Sequence, residues 1–391
     1  VALSTPEERR APELALAPDG TGLAAWETAT GDPVEVALRD ARGAWTPAAA
    51  MSGPFGARPG VAALPGGRAA LVWEAPAAAG GTAVHARLHD GRAWGADRVL
   101  GTGAGAPPRP VVAAAGEGFV VAWADRDGVR LRTLAGGGGD ATRTVAPPRG
   151  AAREVAVAAA PGLVAVAWLE IRGDHRVVRA RLRRDGRWTP AADLSAAAGR
   201  ASQPQVAASR RGALVAWRSD RGDRDQVVEA ALWRRGGGWL REVLGPPAGR
   251  ARGLPRTPGP VPLGPRAALA GERAAVAWPQ RRGGRDEVRI ALHDGRAWTP
   301  PERVPSPGEA GAPDIVPAAD GGLVLALEEL DGVDLALRVR RRDASGVWAC
   351  CVRLTPRGEE GALPRLGGTG RAAVWNATNR GGIGAAGVAC A

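Results

Sequence analysis

One phrase constrains this chain more than any other feature. An apolar run of small residues closed by Trp recurs along its whole 391-residue length. It reads GLAAW to Trp26, AALVW to Trp73, FVVAW to Trp123, VAVAW to Trp168, ALVAW to Trp217, AAVAW to Trp278 and RAAVW to Trp375, with VLALE ending at Glu328 in the seventh place. The steps are 47, 50, 45, 49, 61, 50 and 47 residues. Self-similarity at such a period belongs to propellers, solenoids and arrays.

Each unit carries more than the Trp phrase. Upstream lies a short run opened by Pro, as in RPGVAAL (58–64), RPVVAAA (109–115) and QPQVAAS (203–209). Downstream lies an alternating run such as VEVALR (34–39), VHARLH (84–89) or VRIALH (288–293), then a Gly-containing turn, a second Trp and a last short apolar segment. The heptapeptide LHDGRAW occurs twice, at 88–94 and 292–298. The Trp phrase is apolar on consecutive residues, so it reads as a strand buried on both faces; the run after it alternates with period two, so one face is wetter. Gly (57) and Pro (33) are abundant, which favours turns, and no 3.6-residue periodicity points to helices. Four short antiparallel strands per unit make a β-propeller blade.

The expected fold is all-β: a single propeller of four-stranded antiparallel blades over 1–391. Eight blades are expected, at about 11–52, 58–100, 109–146, 152–195, 203–244, 265–305, 312–355, and 363–391 plus 1–4, with seven as the alternative. The last unit lacks a fourth strand. Val1-Ala2-Leu3-Ser4 resembles the outermost strands elsewhere, so the N-terminal residues are expected to join the C-terminal blade and close the ring. Closure removes a free strand edge. Cys350 and Cys351 follow Trp348 at the outer strand of the seventh unit, and Cys390 ends the third strand of the eighth. A disulfide from Cys390 to Cys350 or Cys351 is expected; small buried thiols are the other reading.

The turn before the second Trp has an Asp–Gly–Trp character, seen at Asp40/Gly43/Trp45, Asp90/Gly91/Trp94, Asp185/Gly186/Trp188, Asp294/Gly295/Trp298 and Asp343/Gly346/Trp348. It resembles the Asp-box, or neuraminidase repeat, of sialidase-like propellers. The resemblance covers nearly the whole chain as an architecture, with degenerate motifs: unit three has GGGGD (136–140) and no second Trp, and unit five has Arg234–Arg235 in place of Asp. It implies a structural turn in which Asp90 and Asp294 accept backbone N–H groups. The tryptophans at 26, 73, 123, 168, 217, 278 and 375 are expected to be inter-blade core rather than a sugar-stacking platform.

The resemblance also implies a sialidase site of three Arg, a Tyr nucleophile paired with Glu, and an acid–base Asp. The chain has no Tyr, so the family's nucleophile is missing. The acidic residues after each Trp phrase are Glu27, Glu74, Asp125, Asp127, Glu170, Asp220, Asp223 and Glu329. They are expected on loops between the second and third strands, which line one face of a propeller. A pair of them about 5–10 Å apart could still cleave glycosides. Arg58, Arg109, Arg153 and Arg266 open the inner strands and are expected around the channel mouth on that face. Ligand contacts are therefore expected at Arg58, Arg109, Arg153, Arg266, Glu27, Glu74, Asp125, Glu170, Asp220 and Asp223. The longest connection, 245–265, is Pro/Gly-rich and is expected to hang over the same face.

Other chemistry finds no footing. HExxH, GxSxG and a Walker loop are absent, and GTGAGA (101–106) runs into Pro107–Pro108. His85 and His89 would lie about 13 Å apart along one strand, too far to share a metal. No metal and no cofactor are expected. The net charge is +12 with every basic residue an Arg, as a GC-rich genome would write, and acidic residues are interleaved. No nucleic-acid partner is expected, since the Trp are committed to the core. No stretch reaches the roughly 20 apolar residues of a membrane helix. The sequence reading is a secreted or cell-surface monomer without catalysis, binding a glycan or a protein. A glycoside hydrolase or lyase and a scaffold in a surface assembly are the alternatives.

Overall fold

In the computed structural model, the described residues are all but 5–9, 29–31, 79, 104–107, 135–141, 147–149, 222–224, 247, 250, 252–253, 255–263, 369 and 389–391. The side chains of 10, 11, 221, 225, 350 and 351 are likewise not described. All regular structure among the described residues is β-strand, and every pairing is antiparallel. The chain divides into two compact units, Glu7–Ala198 and Val1–Pro6 with Gly199–Ala391.

The unit Glu7–Ala198 holds four sheets. The first runs through Arg10–Leu16, Gly22–Glu27, Glu35–Arg39 and Ala49–Ala50 in sequence order. The second uses Ala57–Leu64, Arg68–Pro76, Thr82–Asp90 and Arg98–Gly103; the third uses Val111–Ala115, Gly118–Asp125, Gly128–Leu134 and Arg143–Ala146. In the fourth, Ala151–Ala160, Leu163–Arg172 and His175–Arg184 are followed by two short pieces on the last of these strands.

The other unit holds a nine-stranded sheet over 201–303, a four-stranded sheet over 310–353 and a three-stranded sheet over 361–387. The nine strands form two groups, which Ala248–Gly249 joins by pairing with both Asp225–Arg234 and Arg273–Arg282. Residues 1–3 run along Ile383–Gly387. Ala2 bridges Gly384, the Leu3 N–H donates to the Ile383 carbonyl at 2.8 Å, and the Ser4 hydroxyl accepts the Ile383 N–H at 2.9 Å.

The second strand of each group is the Trp phrase, and it is buried. Trp26, Trp73, Trp123, Trp168 and Trp217 are at most 1% exposed, Trp375 is 3% and Trp278 is 4%. Each indole whose cluster is described packs on the group of strands before its own: Trp73 with Ala25, Val34 and Val36, Trp123 with Val84, Ala86 and Leu100, and Trp278 with Leu214, Ala230 and Leu244. The register corrects one sequence assignment. Ala57 stands opposite Glu74, the residue after Trp73, and Gly311 stands opposite Glu328. Leu327, fully buried with Val288 and Ile290, therefore fills the tryptophan position of its sheet, and Glu328 is the counterpart of Glu74.

The first strands share a distortion. Their register shifts between Ala57 and Gly60, Arg153 and Ala156, Ser202 and Gln205, Gly311 and Asp314, and Ala362 and Arg365. Near these points φ is positive at Arg58 (50°), Glu154 (48°), Gln203 (56°), Ala312 (38°) and Leu363 (56°), and it is also positive at Arg109 (45°), just before Val111–Ala115. Five of the six precede Pro. Proline bars right-handed helical geometry from the residue before it and gives the ladder no N–H, so x-Pro suits a bulge.

Candidate functional site

The bulged ends of the sheets gather the residues that the sequence singles out. In the unit Glu7–Ala198, four of them meet. The Arg58 main-chain N–H donates to Glu27 Oε1 at 2.6 Å. The Arg58 guanidinium pairs with Glu74 Oε1, and Glu74 Oε2 accepts the Arg109 main-chain N–H at 3.2 Å. Glu74 is 5% exposed, so its charge is held by these donors rather than by water. The Arg58 side chain stays 39% exposed. Arg109 and Arg153 are exposed. Arg153 does not share the conformation of Arg58 and Arg109, because the positive φ falls on Glu154.

Asp127 lies in the turn between second and third strands, as the sequence suggested, but the other described acidic residues lie inside the ends of second strands. Glu27, Glu74, Asp125, Glu170 and Asp220 all carry strand geometry, because the ladder runs past the Trp phrase. Asp125 Oδ2 pairs with Arg130 Nε at 2.9 Å, and its Oδ1 accepts the Asp127 N–H at 2.8 Å. Asp220 Oδ1 accepts the Gln226 amide at 2.7 Å. Asp223 lies outside the described residues.

Glu170 is 2% exposed. Arg172 Nε reaches its Oε1 at 2.7 Å and Arg179 Nη1 its Oε2 at 2.8 Å. Both guanidiniums also hold Asp193, at 2.9 and 2.7 Å. Burial alone would raise the Glu170 carboxyl; the bonds and charges of Arg179 and Arg172 outweigh it and hold the group below the usual glutamate range. A carboxyl held ionised in this way is a poor general acid.

The unit Val1–Pro6 with Gly199–Ala391 has its own polar row. Arg266 Nε lies 3.7 Å from Asp314 Oδ1, and Arg266 Nη1 lies 3.5 Å from Gln205 Oε1. Asp314 Oδ2 accepts the Leu366 N–H at 2.7 Å. Glu328, fully buried, accepts the Leu363 N–H at 2.9 Å, as Glu27 and Glu74 do for Arg58 and Arg109. Asp314 and Glu328 were not singled out from the sequence. The signal was present: the residue after the bulge Pro is polar at Gln205, Arg266, Asp314 and Arg365. From the long connection, Leu254 is 4% exposed and packs with Leu335, Ala362 and Leu363; most of 252–263 lies outside the described residues.

The Asp turns lie at the other ends of the strands. Asp90 Oδ1 accepts the N–H groups of Arg92 (2.7 Å) and Ala93 (2.8 Å), and Asp294 does the same for Arg296 and Ala297. These backbone bonds hold both carboxyls below the ordinary aspartate range. Cys390 and the side chains of Cys350 and Cys351 lie outside the described residues. Among the described residues, no three His, Cys, Asp or Glu side chains group as metal ligands, and no helix is long and apolar enough to cross a membrane.

Neither a family model nor a curated protein matches the chain. Solved structures do. A prolyl endopeptidase structure aligns over 97% of this chain and 55% of that chain, at 12% identity and a TM-score of 0.51. The chain thus spans about half the length of that enzyme. A Penicillium chrysogenum α-L-arabinanase aligns over 85% of this chain and 93% of that one, at 12% identity and a TM-score of 0.41. A neuraminidase-like protein of A/flat-faced bat/Peru aligns over 76% and 86%, at 11% and 0.42. At these identities the likeness concerns fold alone, and the class it defines is an all-β chain of four-stranded antiparallel sheets of the propeller type.

Proposed function

We propose that the chain is a sialidase-like propeller of eight blades, the nine-stranded sheet supplying two, closed by residues 1–4. In this reading it is extracytoplasmic and non-catalytic. It binds a glycan or protein ligand at the bulged ends of its sheets.

The observation that carries the reading is the state of the carboxylates there. Glu27, Glu74 and Glu328 hold backbone N–H groups, Asp125 holds Arg130, and Glu170 holds two guanidiniums. Such groups are spent on the scaffold. Arg109 and Arg153 stay exposed, as does Asp127, and the Arg58 side chain is 39% exposed; these cations suit a ligand that presents acceptor oxygens or negative charge.

The test is a glycan and cell-wall polysaccharide array with released sugar assayed in the same wells. Binding without release, lost when Arg109 and Arg153 are both replaced by Ala, is expected. Release would favour the competing reading, a glycoside hydrolase or lyase. That reading has Asp314 on its side, a carboxylate 14% exposed and only loosely paired with Arg266. Silence on the array with a partner in pull-downs would favour a protein ligand.

A further inference from the structure

The repeated heptapeptide provides an internal control at the Asp-turn ends of the sheets. Both copies follow a strand that opens with Arg: Arg68, paired opposite Asp90, and Arg273, one residue before Ala274, which pairs with His293. At the first copy, Arg68 crosses to the next sheet. It bonds the Glu117 carboxylate at 2.9 Å and the Glu117 carbonyl at 3.2 Å. At the second copy, the acidic residue in the corresponding turn of the following sheet, Asp320, is already bound by Arg341 and by the Gly322 N–H. Arg273 is exposed and makes no ion pair among the described residues.

A cavity of about 250 Å³ opens at this second copy, between the strands Arg266–Ala270, Arg273–Arg282 and Arg285–His293 on one side and the sheet over 310–353 on the other. Its lining includes the apolar Ala268, Leu292, Pro317 and Leu323, with His293 and Thr299 among them. Its rim carries charges of both signs: Arg273 and Arg342 against Asp294 and Asp343. Arg342 is engaged through Nε by Glu302 at 3.1 Å, leaving its terminal nitrogens as donors. Asp294 and Asp343 each use Oδ1 for their own turn, and their Oδ2 atoms remain as acceptors. Backbone bonds from Ala297 and Arg296 hold the Asp294 carboxyl below the usual aspartate range, and the Ser345 hydroxyl with the Val347 N–H does the same for Asp343.

We infer that this cavity is a binding site for a small zwitterion with an apolar body, of the kind a free apolar α-amino acid presents. Its carboxylate meets Arg273 and Arg342, its ammonium meets the Asp294 and Asp343 rim, and its side chain covers Leu292 and Leu323. A neutral sugar fits poorly, because it leaves Arg273 and the two carboxylates without a counter-charge. A purely anionic ligand meets two carboxylates. The inference does not depend on the ligand proposed for the bulged ends, which lies at the opposite ends of the strands.

Calorimetric titration of the full chain tests it, with L-leucine, N-acetyl-leucine and isopentylamine as probes. Saturable leucine binding is expected, weaker by about ten-fold or more when either ligand charge is missing. Arg273→Ala, at an exposed side chain, should weaken leucine to a similar extent without moving Tm. Ala270→Trp, exposed on the cavity wall, should block it by filling the space. Leucine heats that never saturate, N-acetyl-leucine bound as tightly as leucine, or an Arg273→Ala variant that binds like the parent would each overturn the assignment.

Discussion

The Glu328 carboxylate accepts the main-chain N–H of Leu363 at 2.9 Å, and Leu363 belongs to the next sheet. The bond ties a second strand to the bulge of its neighbour. Glu328→Ala leaves the Leu363 donor buried without an acceptor, which costs about 1–3 kcal/mol. Glu328→Gln keeps an acceptor oxygen and should recover much of the loss. Urea unfolding of the two variants checks the ordering, and equal stability of Ala and Gln would refute it.

Glu170 makes stability sensitive to acid. Its pKa is depressed in the folded chain, so its contribution is complete above the ordinary glutamate range and is lost as pH falls through the lower, folded value. Glu170→Gln should remove part of the acid limb of a Tm-against-pH curve. It should also lower stability near neutrality by about 3 kcal/mol, because Arg172 and Arg179 lose their buried partner. A Gln variant with the parent's acid limb would show that other groups set it.

Trp168 fills the space between two sheets and is 1% exposed. Trp168→Ala should cost about 3–5 kcal/mol and lower Tm without creating any ligand-specific defect. Unchanged Tm with lost ligand binding would move this indole from core to ligand site.

Leu254 tests whether the long connection is anchored. Buried among Leu335, Ala362 and Leu363, it should cost about 2–4 kcal/mol on replacement by Ala. Arg109→Ala, at an exposed side chain, should stay within about 0.5 kcal/mol of the parent. Chemical denaturation of the two variants side by side gives the contrast.

The strand order was legible because burial leaves a plain trace. AALVW can only be a strand covered on both faces, and VHARLH can only be half-covered. The slot of Leu327 was misread by one residue because Leu and Glu follow each other where Trp is missing, and only pairing to Gly311 fixes the frame. The carboxylates were legible as a recurring group but not in role. Sequence shows Glu after Trp73; it does not show a positive-φ arginine one sheet away offering its N–H. The free Arg273 was hidden for the same reason. Its counterpart Arg68 finds Glu117 across a gap of 49 residues, and nothing local tells that Asp320 is already taken.

The bulge residues have a consequence for how such a chain can change. Arg58, Arg109, Glu154, Gln203, Ala312 and Leu363 share one backbone conformation, and in three of them the tether runs through the main-chain N–H. The backbone tether at these three does not pass through the side chain, although the Arg58 guanidinium also pairs with Glu74 and Leu363 packs against Leu254. Each works as a socket, and what is plugged into it can be exchanged, one sheet at a time, while the wiring behind it stays the same.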